Sequence, residues 1–232
     1  MVFIVAEIGV NWDGDFRLVK EMMSMAKKAG FDAVKFQAFN KSLIQEHPEW
    51  ERLMNSTISQ ENIEKINSIA QDVGIEWFCT PMYKEAVDLL EPFVKRFKIR
   101  VADGRSILKN KPSELAQKVL NSGKDVIISV ERTPKDCIEF KNPKIRWLYC
   151  VAKYPCTFLD LDFSNFNQYD GYSNHCPDIL APITAVILGA NIIEVHVTSD
   201  KSKSFMDNPV SFDYSEQLEL CKQIRNCEKI KK

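Results

Sequence analysis

FRLVKEMMSMAKKAGFDAVKFQ, residues 16–37, holds one complete step of a repeating fold. Leu18, Met22, Met25 and Ala26 fall on one face of a helix running from Phe16 to Ala29, and Gly30 stands where that helix must stop. Ala33 to Gln37 then reads as a short buried strand. The lysine inside that strand is the anomaly. A buried ammonium must lose its charge or find an anion, so Lys35 marks a point where the strand needs polar company.

The same step recurs in both directions. Strands are predicted at Phe3 to Ile8, Ala33 to Gln37, Glu76 to Thr80, Arg96 to Arg100, Asp125 to Ser129, Ile145 to Cys150, Gln168 to Gly171 and Ile192 to Val197, each followed by a helix candidate. Ser59 to Val73 repeats the amphipathic pattern with Ile63, Ile66, Ile69 and Ala70. Ser113, with Pro112 before it, and Asp213 read as helix starts, while Gly74 and Gly123 repeat the stop at Gly30. Eight βα units with short connections predict an α/β fold of the closed parallel kind, a (β/α)8 TIM barrel. An open doubly wound sheet of this length carries fewer strands, and no GxGxxG follows the first one. No linker or low-complexity stretch divides the chain, so a single domain over residues 1–232 is expected, its last helix running almost to Lys232.

Composition narrows the class of function. Of 232 residues, 45% are hydrophobic and 27% charged, enough for a sizeable core. Lys plus Arg (31) nearly cancels Asp plus Glu (32), which leaves no global field to attract nucleic acid or an anionic membrane. The opening MVFIVAEIG has no basic leader, and the uncharged run from Ile179 to Ile193 falls short of the ~18 apolar residues of a membrane span. Seven cysteines, at 79, 137, 150, 156, 176, 221 and 227, form no CxxC pair and read as free thiols. A cytoplasmic protein is expected.

In a barrel of this kind the C-terminal strand ends form the reactive face. Glu7 ends the first strand, Lys35 and Gln37 the second, Thr80 the third, with Lys98 near the end of the fourth and Ser129 at the end of the fifth. Beyond the sixth comes Tyr154, beyond the seventh Ser173 and His175, and the eighth holds Glu194 and His196. Two lysines and two serines converging on one rim suit a phosphate; the alternative is that Lys35 or Lys98 is salt-bridged to a core carboxylate such as Glu7 or Glu194. His175 and His196, on adjacent strands, form a pair able to chelate a divalent ion, whereas one alone would read as a hydrogen-bonded core residue. His47 reads as a loop residue and Cys176 as a packed thiol. Asn11, Asp13, Gly14 and Asp15 resemble the start of a calcium loop but lack its closing glutamate, and so read as a turn and helix cap.

AEIGVNWDG (6–14), DAVKFQ (32–37), FCTP (78–81), FKI (97–99), YP (154–155), GYSNH (171–175) and LGANIIEVHV (188–197), with Asp207 and Ser211, occur in order along nearly the whole chain. In this series the chain resembles the barrel domain of the sialic acid synthase family, whose members condense phosphoenolpyruvate with N-acetylmannosamine or a related sugar. The resemblance implies that Lys35, Lys98, Ser129 and Ser173, with Thr80 beside them, hold phosphoenolpyruvate, and that His175 and His196 bind a divalent metal, Mn2+ with Mg2+ or Co2+ as alternatives. It places Glu7, Gln37, Tyr154 and Asp207 around the amino sugar, and in the chemistry that follows Glu7 or Asp103 is expected to manage the protons. It also implies a homodimer. Val101, Asp103 and Ala152 depart from the pattern, as do Trp12, Asn174 and the SVE after the fifth strand. The family's C-terminal antifreeze-like domain has no counterpart in the sequence, so the sugar side is expected to stay open or to be closed by a separately encoded cap, with residues 50–54 as a partial lid or a helix packed on the rim. Two other readings of the same residues are a Schiff-base aldolase using Lys35 or Lys98 and a non-catalytic barrel that binds a phosphate ligand.

Overall fold

Runs rich in β-branched and aromatic residues become the strands of a computed structural model that describes residues 1–230; Lys231 and Lys232 lie outside the described residues. The strands are β1 (Phe3–Gly9), β2 (Ala33–Ala38), β3 (Glu76–Pro81), β4 (Arg96–Ile99), β5 (Asp125–Val130), β6 (Ile145–Cys150), β7 (Gly171–Asn174) and β8 (Ile192–His196). They close in sequence order, each parallel to the next and β8 parallel to β1. The (β/α)8 barrel fold follows directly. Register then decides which chemistry meets: Glu7 lies level with Lys35 on one side and His196 on the other, and Ser173 lies level with Glu194.

The helices are α1 (Phe16–Ala29), α2 (Lys41–Ile44), α3 (Trp50–Asn55), α4 (Ile63–Val73), α5 (Glu85–Leu90), α6 (Val101–Leu108), α7 (Glu114–Asn121), α8 (Leu180–Ile187) and α9 (Tyr214–Ile230). Their ends follow local chemistry. The Asp15 carboxylate accepts from the Arg17 amide at the start of α1, and the Ser113 hydroxyl accepts from the Ala116 amide at the start of α7. Asp213 and Glu216 cap α9 reciprocally, each carboxylate accepting from the other's backbone amide. Gly30, Gly74 and Gly123 all have positive φ just after a helix. No helix among the described residues is long and apolar enough to cross a membrane.

Three expectations need correction. The buried face of α1 is Val19, Met22, Met23, Ala26 and Ala29, rotated about one residue from the expected stripe, because the helix packs against both α4 and α9 as well as the barrel. The seventh strand begins at Gly171 rather than ending there; Gln168 lies in a 3-10 turn over Phe166–Gln168. Glycine and asparagine are poor strand formers, and tertiary pairing with β8 overrides that preference. Finally, β5 and β6 are followed by 3-10 turns and not by α-helices. Beyond β6 an aromatic cluster packs in the helix's place: Tyr149 contacts Phe163, Tyr169 and Tyr172 at centroid distances of 5.5 to 5.9 Å, and its hydroxyl accepts from the Asp162 amide.

Gly171 shows how close the strands come. A Cβ on this residue would sit 2.0 Å from the Ile192 carbonyl oxygen, inside the β7–β8 ladder. Gly171→Ala is expected to cost on the order of 3 kcal/mol in urea unfolding, since backbone and not a flexible side chain must move. An unchanged unfolding midpoint would show that the two strands are not held this tightly.

Candidate functional site

The strand ends surround a cavity of about 350 Å³. Its walls carry ten of the residues singled out in the sequence: Glu7, Lys35, Gln37, Thr80, Lys98, Ser129, Tyr154, Ser173, His175 and His196. Asp207 stands just behind them, its Oδ2 3.3 Å from Nδ1 of His196. Asp103 does not line the cavity; it sits on α6 and its carboxylate accepts a 2.7 Å hydrogen bond from Arg100. Val101 and Ala152 present apolar surface to the same space. His47 is an exposed loop residue, and the Cys176 thiol is packed away from the cavity.

At the floor, two lysines and two glutamates form a buried network. Lys35 lies 3.0 Å from Oε2 of Glu7 and 3.7 Å from Oε1 of Glu194, and it donates to the Thr80 hydroxyl. Lys98 donates to that same Glu194 oxygen at 2.8 Å, and the Ser173 hydroxyl donates to it at 2.9 Å. Burial pushes the Glu194 carboxyl up, yet the two ammonium groups outweigh it and hold the acid well below the usual carboxylate range. Lys35 is lowered by burial and raised more by its two carboxylates, so it stays charged. Lys98 shares one carboxylate and feels Lys35 as a like charge; burial leads and its ammonium is pulled below the ordinary lysine value. Both lysines are therefore salt-bridged, as the structural alternative expects, and both still face the cavity. The four charges cancel.

Each neighbour has a reason for its place. Gln37 donates to Glu7 at 2.8 Å, which fixes the carboxylate and leaves Oε2 near Lys35 without a well-aligned hydrogen bond. Asn11, in the turn after β1, donates to Val197 and Ser211 and accepts from the Asp207 amide, so one side chain positions the loop that carries Asp207. Nδ1 of His175 lies 2.8 Å from the Val151 carbonyl, an arrangement that makes Nδ1 the donor and leaves Nε2 with a lone pair. Burial, then the neighbouring His196, lowers this histidine to about 4. The two imidazoles lie 5.5 Å apart between centroids, with the Tyr154 ring 4.9 Å from one and 5.5 Å from the other.

Residues 50–54 pack on the rim. Leu53 is buried against Val10 and Phe39, Trp12 donates its indole N–H to the Ser56 carbonyl, and Arg52 pairs with Asp13. Trp50 does not reach the cavity. Sequence reasoning gave Glu194 only a structural part and overlooked Arg100, Cys150 and Met82, which also line the space. Arg100 directly follows β4, and that adjacency was the signal available for it.

Glu194 is the hinge of the network. Glu194→Gln leaves two ammonium groups with one carboxylate between them and is expected to lose about 3–5 kcal/mol in urea unfolding. The double variant Lys98→Met with Glu194→Gln should recover part of that loss, because it removes the uncompensated charge. Equal stability of Glu194→Gln and the parent chain would show that this carboxylate does not anchor the floor.

Comparison with known proteins gives the ancestry of this arrangement. The chain is 35% identical to an uncharacterized protein of Methanocaldococcus jannaschii, over 98% of this chain and 71% of that one. It is 29% identical to N,N'-diacetyllegionaminic acid synthase of Legionella pneumophila, over 98% of this chain and 72% of the relative. The crystal structure of N-acetylneuraminic acid synthetase from Leptospira borgpetersenii superposes with a TM-score of 0.86 at 27% identity, covering 99% of this chain and 84% of that one. The NeuB family model matches residues 22–232, and the chain belongs to that family.

Proposed function

We propose that the protein is a nonulosonic acid synthase, which joins phosphoenolpyruvate to N-acetylmannosamine or a related amino-sugar aldehyde and releases phosphate. Relatives named as synthases of legionaminic and N-acetylneuraminic acid support the class. The observation that carries it to this chain is one cavity lined together by two lysines, two serines and two imidazoles. In this reading Lys35, Lys98, Ser129 and Ser173, with Thr80, take the phosphate and carboxylate of phosphoenolpyruvate, since charge-assisted contacts from a water-poor wall are strong. Gln37, Tyr154 and Asp207 orient the sugar.

His175 and His196 would hold a divalent ion, for which manganese is the first candidate. The donor set fits a partly open site: His175 is neutral near pH 7 and keeps a free lone pair, and its other nitrogen is fixed by a carbonyl. No group of three or more His, Cys, Asp or Glu side chains that could hold a metal gathers among the described residues, so water and substrate oxygens would complete the shell. When bound, the ion supplies Lewis-acid polarisation of the sugar aldehyde. The protein's residues do the rest. The lysines hold the enol carbon of phosphoenolpyruvate against the aldehyde carbon, a carbon–carbon bond forms, water adds at the former enol-ether carbon, and its bond to phosphate breaks. In this reading Glu7, held by Gln37 and ion-paired with Lys35, takes the proton of that water. Exposed Leu180, Ile187 and Leu188 on and beside α8 support homodimer formation as part of the same reading, and a cytoplasmic location belongs with it.

One observation favours a Schiff-base aldolase, namely that burial lowers Lys98. Against it, that ammonium is bonded to Glu194 at 2.8 Å. Borohydride trapping separates the two: covalent reduction of a carbonyl substrate onto Lys98 or Lys35 would select the aldolase.

The principal test is calorimetric titration of phosphoenolpyruvate followed by a phosphate-release assay with N-acetylmannosamine and manganese. The synthase reading expects binding and release; binding with no release from any amino-sugar aldehyde would select the ligand-binding barrel. His175→Ala and His196→Ala are each expected to abolish manganese binding and turnover while the circular dichroism spectrum stays that of the parent. Unchanged metal affinity in both variants would remove the imidazoles from that role.

A further inference from the structure

Asp207 reaches the edge of the cavity from the loop after β8, not from a strand, yet its Oδ2 lies 3.3 Å from Nδ1 of His196. A loop residue placed this closely has lost its backbone freedom, at a cost of roughly 1–2 kcal/mol, and something must hold it. The loop is closed at its ends: the Phe212 amide donates to the His196 carbonyl, and the Thr198 amide to the Phe212 carbonyl. The carboxylate does not hold itself. Oδ2 has no aligned hydrogen bond among the described residues, so its place is set through the Asp207 backbone.

Asn11 holds that backbone. It lies in the turn after β1, fully buried, behind the residues that line the cavity. Its Nδ2 donates at 2.9 Å to the carbonyl of Val197, the residue after His196, and at 2.9 Å to the Ser211 hydroxyl, while its Oδ1 accepts from the Asp207 amide at 2.9 Å. The Ser211 hydroxyl in turn donates to the Asp207 carbonyl at 2.7 Å. One amide therefore grips the backbone beside the histidine and the backbone that carries the carboxylate facing it. Only a side-chain amide offers two donors and an acceptor in one planar group; an aspartate here would donate nothing. Gly9 leaves room for the result: a Cβ on it would lie 2.8 Å from Oδ2 of Asp207, so the carboxylate sits over the end of β1 because residue 9 has no side chain.

We infer that Asn11 is a positioning residue for the imidazole pair, acting on His196 through Asp207. A carboxylate facing Nδ1 favours the proton on that nitrogen and leaves Nε2 with its lone pair, the state in which an imidazole takes an ion. His175 reaches the same state by another route, through the Val151 carbonyl. The two rings are thus set alike by unlike partners, one by its own neighbouring backbone and the other by a side chain from the far end of the sequence. The inference rests on the reading that His175 and His196 hold a divalent ion and names the residue on which the second of them depends.

The test is a double-mutant cycle on the full chain, with manganese affinity read from the electron paramagnetic resonance of the free ion and folding from the thermal midpoint. Asn11→Ala and Asp207→Asn are each expected to weaken manganese at least tenfold, and the double variant to lie within twofold of the weaker single one, because both act through one contact. Ser211→Ala removes only the second grip on Asp207; it should weaken manganese about threefold and add nothing in the Asp207→Asn background, and it decides the matter alone should Asn11→Ala not fold. Gln217→Ala is the control for loosening alone: Gln217 is buried and donates to the Phe212 carbonyl at the loop's end without touching Asp207, so its loss should lower the midpoint and leave manganese within twofold. If the parent chain binds manganese and folded Asn11→Ala binds it within twofold, or if the effects of Asn11→Ala and Asp207→Asn simply add, the positioning role is wrong while the imidazole site stands. If the parent chain binds no manganese, or His196→Ala binds it as the parent does, the imidazole site fails and this inference with it.

Discussion

Glu194 has to serve two ammonium groups from one oxygen, at a depth where water cannot help. Lys35 reaches it from β2 and Lys98 from β4, Ser173 donates to the same atom, and Glu7 completes the balance from the neighbouring strand. Isolated, any of these charges would be expelled from the core. Together they allow a parallel barrel to carry charge at its strand ends, and they demand a register in which Glu7 meets Lys35 and Ser173 meets Glu194. A one-residue slip of any of these strands would turn its polar end outward and leave its partners unpaired.

That demand explains why the site was more legible in the sequence than some of the scaffold around it. A lysine in AVKFQ or a histidine in IIEVHV contradicts its apolar surroundings, and the contradiction can be seen without coordinates. The sites of α1, α4 and α7 were legible for a similar reason, since caps and stop glycines are local. The start of β7 was not. Its glycine is required by a carbonyl on another strand, and its serine and asparagine are held by pairing that no window of sequence contains. The missing helices after β5 and β6 were equally hidden, because aromatic residues that build a cluster across a loop have no period to betray them.

Within the cavity, residue type was visible and orientation was not. Asp103 and Arg100 stand three positions apart, and which of them lines the cavity depends on the turn between β4 and α6. The acid is the more familiar candidate for chemistry, yet it is the base that reaches the open space. Val101 and Ala152 show the converse: both line the cavity where the resemblance leads one to expect polar groups, so the wall is built from fewer donors.

The excursion between β2 and β3 divides the mouth of the barrel into unlike halves. On one side Trp12 is bonded to Ser56, Asp13 is paired with Arg52, and Thr57 exchanges hydrogen bonds with the Phe39 backbone in both directions. These contacts weld the loop after β1 to the excursion, so that stretch of rim becomes a fixed jamb, set when the chain folds. The opposite side, from β5 to β7, is built of 3-10 turns and single loops. The mouth of the cavity is thus framed by one side tied through side-chain hydrogen bonds and an ion pair and another shaped by turns over an aromatic cluster, so the two sides are held by different forces.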